Sequence, residues 1–281
     1  MKSILRTRSE GGVGSTDRAE FPTAWARTRP VRVLREVSQV AGVKPLLRGE
    51  VALDVAGVEH LRAIDRPALI VANHASHLDT AVLLSTLPTA RRRRTAVAAA
   101  DYFFGTVWRA AGSAIVLNTF PLERRGGSES PLTGQLLADG WSIIVYPEGT
   151  RSPDGFPRHF RIGAAWLAVT HSVPVIPVGI RGTYAAMPRG RVWPRPGRTR
   201  VAVRYGAPIF PRPGETPREL APRIATAVRQ LIAEDATSWW AVQRGSGVEE
   251  APPPGSWRRI WEQTAAPAEG GKPRRAKIWR S

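Results

Sequence analysis

A histidine and an aspartate five positions apart, His74 and Asp79, are the residues of this chain best suited to chemistry. Imidazole titrates near neutral pH, so it can take a proton from a hydroxyl group and later return it to a leaving group. A carboxylate on the other ring nitrogen would fix the tautomer and stabilise the imidazolium that forms. The spacing therefore predicts that His74 is a general base and that Asp79 orients it.

Other interpretations of the same segment stay open. His74 and His77 could be turn residues and Asp79 only a helix cap, because acidic side chains suit the first turn of a helix. The three could also hold a metal ion, but the chain has no cysteine and no second histidine pair, so we expect no metal ligands. Ser76 is a conceivable nucleophile, although its position before a helix favours capping.

The flanking elements predict where this pair lies. Residues 68–71 form an uninterrupted apolar run bounded by Pro67, which is typical of a strand buried on both faces. Residues 80–87 have a short helical pattern. His74 and Asp79 would therefore follow the C-terminal end of a central strand, in the turn that leads into a helix.

A second polar segment, residues 147–152, follows the apolar run 141–146 and reads PEGTRS. Gly149 permits a tight turn whose amides can face an anion, and Arg151 offers two parallel donors for a phosphate. Glu148 would repel a phosphate, so we expect it to hold an arginine or to accept a hydrogen bond from a substrate hydroxyl.

Further predicted strands alternate with helical patterns, and a long helix from residue 217 to about residue 244 closes the domain. The strands are predicted at residues 51–55, 95–100, 113–118, 173–180 and 200–205, with the first at a sheet edge and the fourth, because of its prolines, at an edge or irregular. This alternation predicts an α/β fold with a mostly parallel central sheet flanked by helices and an active site at the strand C-terminal ends. Arg124, in a loop beyond the strand at 113–118, would join that edge.

The composition favours one main domain with two tails. The chain has 281 residues, 42% of them hydrophobic, enough to bury one substantial core. Residues 1–47 are predicted to be a mobile basic lead with a short helix, residues 48–244 the main domain, and residues 245–281 a disordered tail rich in proline, glycine and basic residues. The absence of cysteine excludes disulfides, zinc–thiolate sites and a cysteine nucleophile. We expect no signal peptide and no clear transmembrane helix.

The net charge of +18 predicts an anionic partner. Nucleic acid would require a recognised motif or basic residues interleaved with stacking aromatic residues, and the middle of the chain has neither. Tryptophans near arginines and lysines, such as Trp257 and Trp261, suit the headgroup layer of a membrane. We therefore expect an anionic membrane surface, and no nucleic acid, as the partner.

Four segments, in order, resemble the glycerolipid acyltransferases of the lysophosphatidate acyltransferase (PlsC-like) type. Residues 73–79 match the NHxxxxD motif, and residues 146–152 match the FPEGTRS motif with Tyr146 in place of phenylalanine. Residues 173–177 resemble the fourth block of the family, and residues 120–124 resemble its second block more loosely. The resemblance covers about residues 48–235.

The resemblance implies a reaction and a set of site residues. A fatty acyl group would pass from acyl-CoA or acyl carrier protein to a hydroxyl of a glycerophosphate-type lysophospholipid acceptor. The first expectation is 1-acyl-sn-glycerol-3-phosphate, giving phosphatidate in phospholipid biosynthesis. His74 and Asp79 would be catalytic, and the substrate-binding residues would be Arg124, Glu148, Gly149, Thr150 and Arg151. No cofactor is implied, and the enzyme would act as a peripheral protein on the cytoplasmic face of the membrane.

Three other functions remain alternatives. The acceptor could be another lyso-lipid, or the same histidine–aspartate pair could activate water and hydrolyse the thioester. A lipid- or nucleic-acid-binding protein without catalysis would keep its function when His74 is replaced by alanine. A hydrolase would cleave the thioester without any dependence on an acceptor.

Overall fold

The computed structural model describes residues 24–99, 107–121, 131–191 and 193–236. The strands in these ranges are β1 Val51–Ala56, β2 Leu69–Ala72, β3 Thr95–Ala99, β4 Thr119–Pro121, β5 Ser142–Val145, β6 Val175–Arg181 and β7 Thr199–Tyr205. They form one sheet in the order β1-β7-β6-β2-β5-β3-β4. Strand β7 is antiparallel to β6, and every other neighbouring pair is parallel. The predicted mostly parallel sheet is confirmed, with β1 at one edge.

Helices cover both faces of this sheet. They are α1 Arg29–Val37, α2 Lys44–Glu50, α3 Val58–Arg62, α4 Leu78–Thr86, α5 Thr89–Arg93, α6 Val107–Leu117, α7 Pro131–Ala138, α8 Gly163–Thr170, α9 Thr183–Ala186 and α10 Pro217–Ala236. Side chains of α2, α3 and α4 pack in the core on one face, and those of α7, α8 and α10 pack on the other. In the described ranges, none of these helices has the length and apolar character needed to cross a membrane.

Strand β2 lies in the interior of the sheet and is buried on both faces. Its alternating side chains enter the two cores, with Leu69 and Val71 on the α8 side and Ile70 and Ala72 on the α4 side. All four are fully buried. A short apolar run without alternation therefore forms the strand that leads into the candidate site, as the sequence predicts.

The strand predicted at residues 113–118 is wrong, because residues 113–117 continue helix α6. A short apolar run fits a helix or a strand equally well, and here the contacts at its end decide. Side-chain donors of Arg35 and Gln39 bind the carbonyl groups of Ala114, Ile115 and Val116 in the last turn of α6, where backbone partners run out. The carbonyl of Ala114 also accepts the amide of Asn118 at 3.1 Å. Asn118, at φ +55°, then ends the helix in the left-handed conformation.

The prediction of an edge position for the proline-containing strand is also wrong, because β6 lies between β7 and β2. The carbonyl of Pro177 points toward the β7 side, where it accepts a hydrogen bond from the amide of Gly206 at 2.9 Å. The antiparallel ladder between β6 and β7 begins one residue later, at Val178. The missing N–H of Pro177 faces that same side, so the proline removes no bond to β2.

The N-terminal helix is longer than the short helix predicted within residues 1–47. Helix α1, a π-helical segment Ser38–Val43 and α2 follow one another without a break up to Glu50. The long C-terminal helix is described up to Ala236. The predicted basic lead up to residue 23 and the tail from residue 237 onward lie outside the described residues, so the domain boundaries stay a prediction.

Candidate active site

The expected contact between His74 and Asp79 is present just beyond the C-terminal end of β2. His74 Nδ1 lies 2.8 Å from Asp79 Oδ2. The same oxygen accepts the backbone amides of Ala75 and Ser76 at 2.7 and 2.8 Å. An oxygen that already accepts two amide protons also accepts from His74, which assigns the imidazole proton to Nδ1. The other ring nitrogen, Nε2, is then left bare to act as a base.

The two members of this pair differ in their exposure to solvent. The Asp79 side chain is 0% exposed, whereas the His74 ring is 14% exposed. Asp79 sits in the first turn of α4, where the exposed amides of the helix favour a negative charge. The carboxylate is therefore fixed behind the imidazole, and the imidazole is the member that meets solvent.

Ser76 supports this turn and does not face the solvent. Its hydroxyl donates to the carbonyl of Met187 at 2.6 Å and accepts from the amide of Leu78 at 3.2 Å. The residue is fully buried. These contacts support the capping interpretation and leave no free hydroxyl to act as a nucleophile.

The main chain of His74 is held by the PEGTRS segment at the end of the neighbouring strand β5. The amide of His74 donates to Glu148 Oε1 at 2.8 Å, and its carbonyl accepts from the amide of Ser152 at 2.7 Å. Two segments 74 positions apart therefore form a single unit around the imidazole. From the sequence we expected Glu148 to hold an arginine or to accept a hydrogen bond from a substrate hydroxyl. Its contact with the His74 amide was not predicted.

Glu148 is a buried carboxyl group, 4% exposed. Burial raises the pKa of Glu148 to about 7, although the hydrogen bond from the His74 amide acts in the opposite direction. The protonation state of a group that holds the candidate base therefore changes near neutral pH. Its predicted role in substrate binding stays a prediction.

Tyr146 is a contact of the imidazole that the sequence noted only as a departure from the usual phenylalanine. Its ring stacks on His74 with centroids 4.1 Å apart and an angle of 17° between the planes. Its hydroxyl lies 3.0 Å from Thr80 Oγ1, one residue after Asp79. Burial raises the pKa of this hydroxyl, so it stays protonated. An aromatic residue directly after β5 and before PEGTRS was the sequence signal that could have predicted this contact.

Asn73, the first residue of the NHxxxxD segment, has a structural contact that the sequence did not reveal. Its side-chain amide donates to the carbonyl of Ile180 at 2.9 Å and its side-chain oxygen accepts the Ile180 amide at 2.8 Å. This double contact continues the pairing of β2 with β6 beyond Ala72. Asn73 thereby fixes the start of the turn that carries His74.

The predicted phosphate-binding residues lie in the turn after β5. Gly149 adopts φ +74°, as a tight turn requires, and its amide donates to the carbonyl of Tyr146 at 3.0 Å. Thr150 is exposed and Arg151 is half-buried. Arg124 lies outside the described residues.

His77 lies in the electrostatic field of this site. Burial is the largest cause that lowers the pKa of His77 to about 4, and the positive charges of Arg151 and His74 contribute to the same shift. His77 is therefore neutral at physiological pH, and Arg151 is close enough to disfavour a second cation there. Within the described ranges, no three carboxylate, imidazole or thiol side chains are grouped so that they could hold a metal ion.

Comparisons with known proteins point to acyltransferases. The acyltransferase family model matches residues 52–181, from β1 to the end of β6. A chloroplastic 1-acyl-sn-glycerol-3-phosphate acyltransferase of Brassica napus is 33% identical over 141 residues, 49% of this chain and 39% of that protein. The alpha form of the mouse enzyme is 30% identical over 189 residues, 65% of this chain and 62% of that protein. The chain thus spans about two fifths to three fifths of the length of these curated relatives.

A solved structure extends the likeness to the fold. The crystal structure of the 1-acyl-sn-glycerophosphate (LPA) acyltransferase PlsC from Thermotoga maritima superposes with a TM-score of 0.56 at 28% identity. The match covers 73% of this chain and 84% of that chain. The mostly parallel α/β sheet is therefore the fold of a solved acyltransferase. In sequence and in fold, the chain is similar to the PlsC-like glycerolipid acyltransferases.

Proposed function

We propose that this protein is a 1-acyl-sn-glycerol-3-phosphate O-acyltransferase of phospholipid biosynthesis. It transfers a fatty acyl group from acyl-CoA or acyl carrier protein to the free hydroxyl of the acceptor and produces phosphatidate. The observation that carries the proposal is the His74–Asp79 pair, joined at 2.8 Å in the NHxxxxD segment of a chain that is similar to these acyltransferases. The curated relatives described above carry this activity in their names.

In the proposed mechanism, His74 Nε2 takes the proton of the acceptor hydroxyl while the oxygen attacks the thioester carbonyl carbon. A carbon–oxygen bond forms, the carbon–sulfur bond breaks, and the departing thiolate takes the proton from the imidazolium. Asp79 stabilises that imidazolium in between. One base and an activated thioester account for every bond and proton in this transfer. We therefore propose that the reaction uses no metal and no other cofactor.

Binding of the acceptor phosphate is assigned to Arg151, together with Arg124. The half-buried position of Arg151 and its effect on the pKa of His77 support a positive charge close to the imidazole. Gly149 and Thr150 shape the turn that presents this arginine. Glu148 contributes through the His74 amide, which sets the position of the base relative to the acceptor.

We also propose that the protein docks on an anionic membrane as a peripheral protein, through helix α1. The side chains of Val33, Leu34 and Val37 are 64%, 54% and 56% exposed, whereas Arg35 and Gln39 are buried. An arrangement with polar residues inside and apolar residues outside is unfavourable in water and fits the boundary between lipid headgroups and acyl chains. The net charge of +18 favours anionic lipid.

The side of the membrane follows from the substrates. Acyl-CoA and acyl carrier protein are supplied in the cytoplasm, so we place the docked protein on the cytoplasmic face. The positive charge of this chain would also attract an acidic carrier protein. We therefore propose acyl carrier protein as a protein partner.

The test is the release of thiol from acyl-CoA with and without 1-acyl-sn-glycerol-3-phosphate, measured in parallel for the wild type and His74→Ala. We expect release that depends on the acceptor and disappears in the variant. Release without the acceptor would favour the hydrolase instead. If acyl-CoA is inert, acyl carrier protein is the donor to test next, and inactivity with both thioesters would refute the proposal.

A further inference from the structure

A cavity lies away from His74, between α2, strand β1 and the end of α4. Its volume is about 380 Å³, and none of the candidate catalytic residues lines it. Ser85 and Thr86 close it at the last turn of α4, whereas Asp79 occupies the first turn of the same helix. At the helical rise per residue the two ends are about 10 Å apart. The cavity is therefore separate from the site of the proposed reaction.

Three cationic side chains line this cavity and no carboxylate does. Lys44 and Arg48 extend from one face of α2, and Arg198 approaches from the segment before β7. Among the described residues, none forms an ion pair or a hydrogen bond with these three side chains. The acidic group that acts on Lys44 is Glu36, and its carboxylate is already bound to Arg92 at 2.7 Å. The cavity thus holds an excess of positive charge.

The pKa of Lys44 reports the same excess. Burial lowers this pKa, and the positive charges of Arg92 and Arg48 lower it further. An anion bound among these groups would relieve both the repulsion and the loss of hydration.

The backbone at Arg198 is strained in a way that a smaller residue would avoid. Arg198 adopts φ +48°, in the left-handed region that favours glycine. Residues held in such conformations cluster where a ligand is bound. The strain therefore occurs at an arginine that lines the cavity.

The floor of the cavity is aliphatic. Val51, Leu53 and Val55 alternate along β1 and present one face of this edge strand to the cavity. Leu53 and Val55 remain half-exposed. A ligand that matches both the cationic side chains and the aliphatic floor combines a phosphate group with a hydrocarbon chain.

We propose that this cavity binds the phosphate headgroup of an anionic phospholipid, at a site separate from acyl transfer. Lys44, Arg48 and Arg198 bind the phosphate, and the hydrocarbon next to the headgroup packs on the β1 side chains. Helix α2 continues directly from the segment that we assign to the membrane, so the bilayer supplies the ligand. Bound in this way, one lipid molecule fixes the orientation of the protein on the membrane.

The test is a calorimetric titration of the full chain with dihexanoyl phosphatidate, a water-soluble phospholipid that needs no bilayer. The pocket variant is Lys44→Gln/Arg48→Gln/Arg198→Gln. Its control is Arg62→Gln/Arg218→Gln/Arg229→Gln, which removes the same charge from exposed arginines outside the cavity. We expect the pocket variant to lose at least about tenfold in affinity for one equivalent of lipid, as the loss of charge-assisted hydrogen bonds implies, and the control to bind as the wild type does. Equal binding by the two variants would overturn the proposal.

Two further measurements keep the inference distinct from the proposed function. Arg198→Gly relieves the backbone strain, so it should raise the melting temperature while it weakens lipid binding; an unchanged affinity would remove Arg198 from the site. Inorganic phosphate should compete at least about tenfold less effectively than the lipid, because it cannot use the apolar floor. Competition on equal terms would show that the ligand is free phosphate. If the proposed acyltransferase function is wrong, the wild type will show no acyl transfer even though its cavity is intact and binds the lipid.

Discussion

The turn that carries His74 and the outer helix α1 both bury polar side chains, and they use them for opposite purposes. Around His74, buried Asp79 and Glu148 hold a ring that reaches the solvent. Buried Arg35 of α1 and buried Gln39 of the π-helical segment after it bind carbonyl groups of α6, whereas Val33, Leu34 and Val37 of α1 face outward. The first region orients one reactive group, and the second presents an apolar surface.

The two regions also differ in how buried charge is stabilised. Asp79 Oδ2 accepts three donors, as a fixed carboxylate in a helix first turn should. Arg35 is bound by carbonyl dipoles at 2.6 to 2.8 Å, and burial lowers its pKa to about 10, with Arg27 and Arg32 adding repulsion. The contrast teaches that buried polar contacts alone do not identify a reactive site. An exposed titratable partner, such as His74, is required as well.

The largest expected effect is that of Asp79→Asn. An asparagine amide in place of Oδ2 would favour the wrong imidazole tautomer, so we expect kcat to fall by about a thousandfold or more. Asp139→Asn, at an exposed carboxylate, is the control and should leave kcat unchanged. Steady-state kinetics with acyl-CoA and 1-acyl-sn-glycerol-3-phosphate measure both. A loss of less than tenfold in Asp79→Asn would separate this carboxylate from the catalytic pair.

Glu148→Ala should come next in size. It leaves the buried amide of His74 without an acceptor, which costs about 1–3 kcal/mol and loosens the base. We expect kcat to fall by about ten- to a hundredfold, whereas Glu148→Gln, which keeps an acceptor oxygen, should retain most of the activity. If both variants lose activity equally, the charge of Glu148 has a role beyond the amide contact.

Glu148 also makes stability depend on pH. Its pKa is raised in the folded protein to about 7 from 4.5, so the native state binds the proton more tightly than the unfolded state. The free energy of unfolding should therefore fall as the pH rises from about 4.5 to about 7. In Glu148→Gln this part of the decrease should disappear. Urea titrations of the wild type and the variant across this range measure the difference, and parallel pH profiles would contradict the assigned pKa.

Substitutions of Tyr146 should have a smaller effect on kcat, and two variants distinguish the role of its ring from that of its hydroxyl. Tyr146→Phe keeps the stack on His74 and loses only the contact with Thr80, so we expect kcat to fall by less than about threefold. Tyr146→Leu removes the stack and should lower kcat by about tenfold with little change in KM. Equal kcat values for the two variants would show that the stack does not position the imidazole.

The smallest effect on chemistry should come from the outer face of α1. Val33→Ser/Val37→Ser should weaken cosedimentation with anionic vesicles by about tenfold, because two side chains lose their burial in lipid. Turnover of a water-soluble short-chain acceptor should stay at the wild-type level. The control, Val228→Ser, lies in the core away from α1 and from the lipid cavity, and should lower stability instead. Unchanged vesicle binding would remove α1 from the membrane surface.

Local contacts were predictable from the sequence, and contacts between distant segments were not. The His74–Asp79 hydrogen bond spans five residues and follows from a strand end and a helix start. The Asn73 contact with Ile180 spans 107 residues, and nothing in either segment reveals it. The apolar run at residues 113–117 was misassigned because side-chain donors from α1 and from the π-helical segment after it bind the carbonyl groups at the end of α6. In each failure the deciding partner lies elsewhere in the chain.

Replacement of His74 by glycine tests the central claim most directly, because it removes the base and leaves a space between Tyr146 and Asp79. We expect acceptor-dependent transfer from acyl-CoA to fall by about a thousandfold, as for the loss of a general base. Added imidazole should restore part of it in a saturable way, and the restoration should fail when Asp79→Asn is also present. Turnover within about tenfold of the wild type in the absence of imidazole would contradict the assignment of His74 as the base.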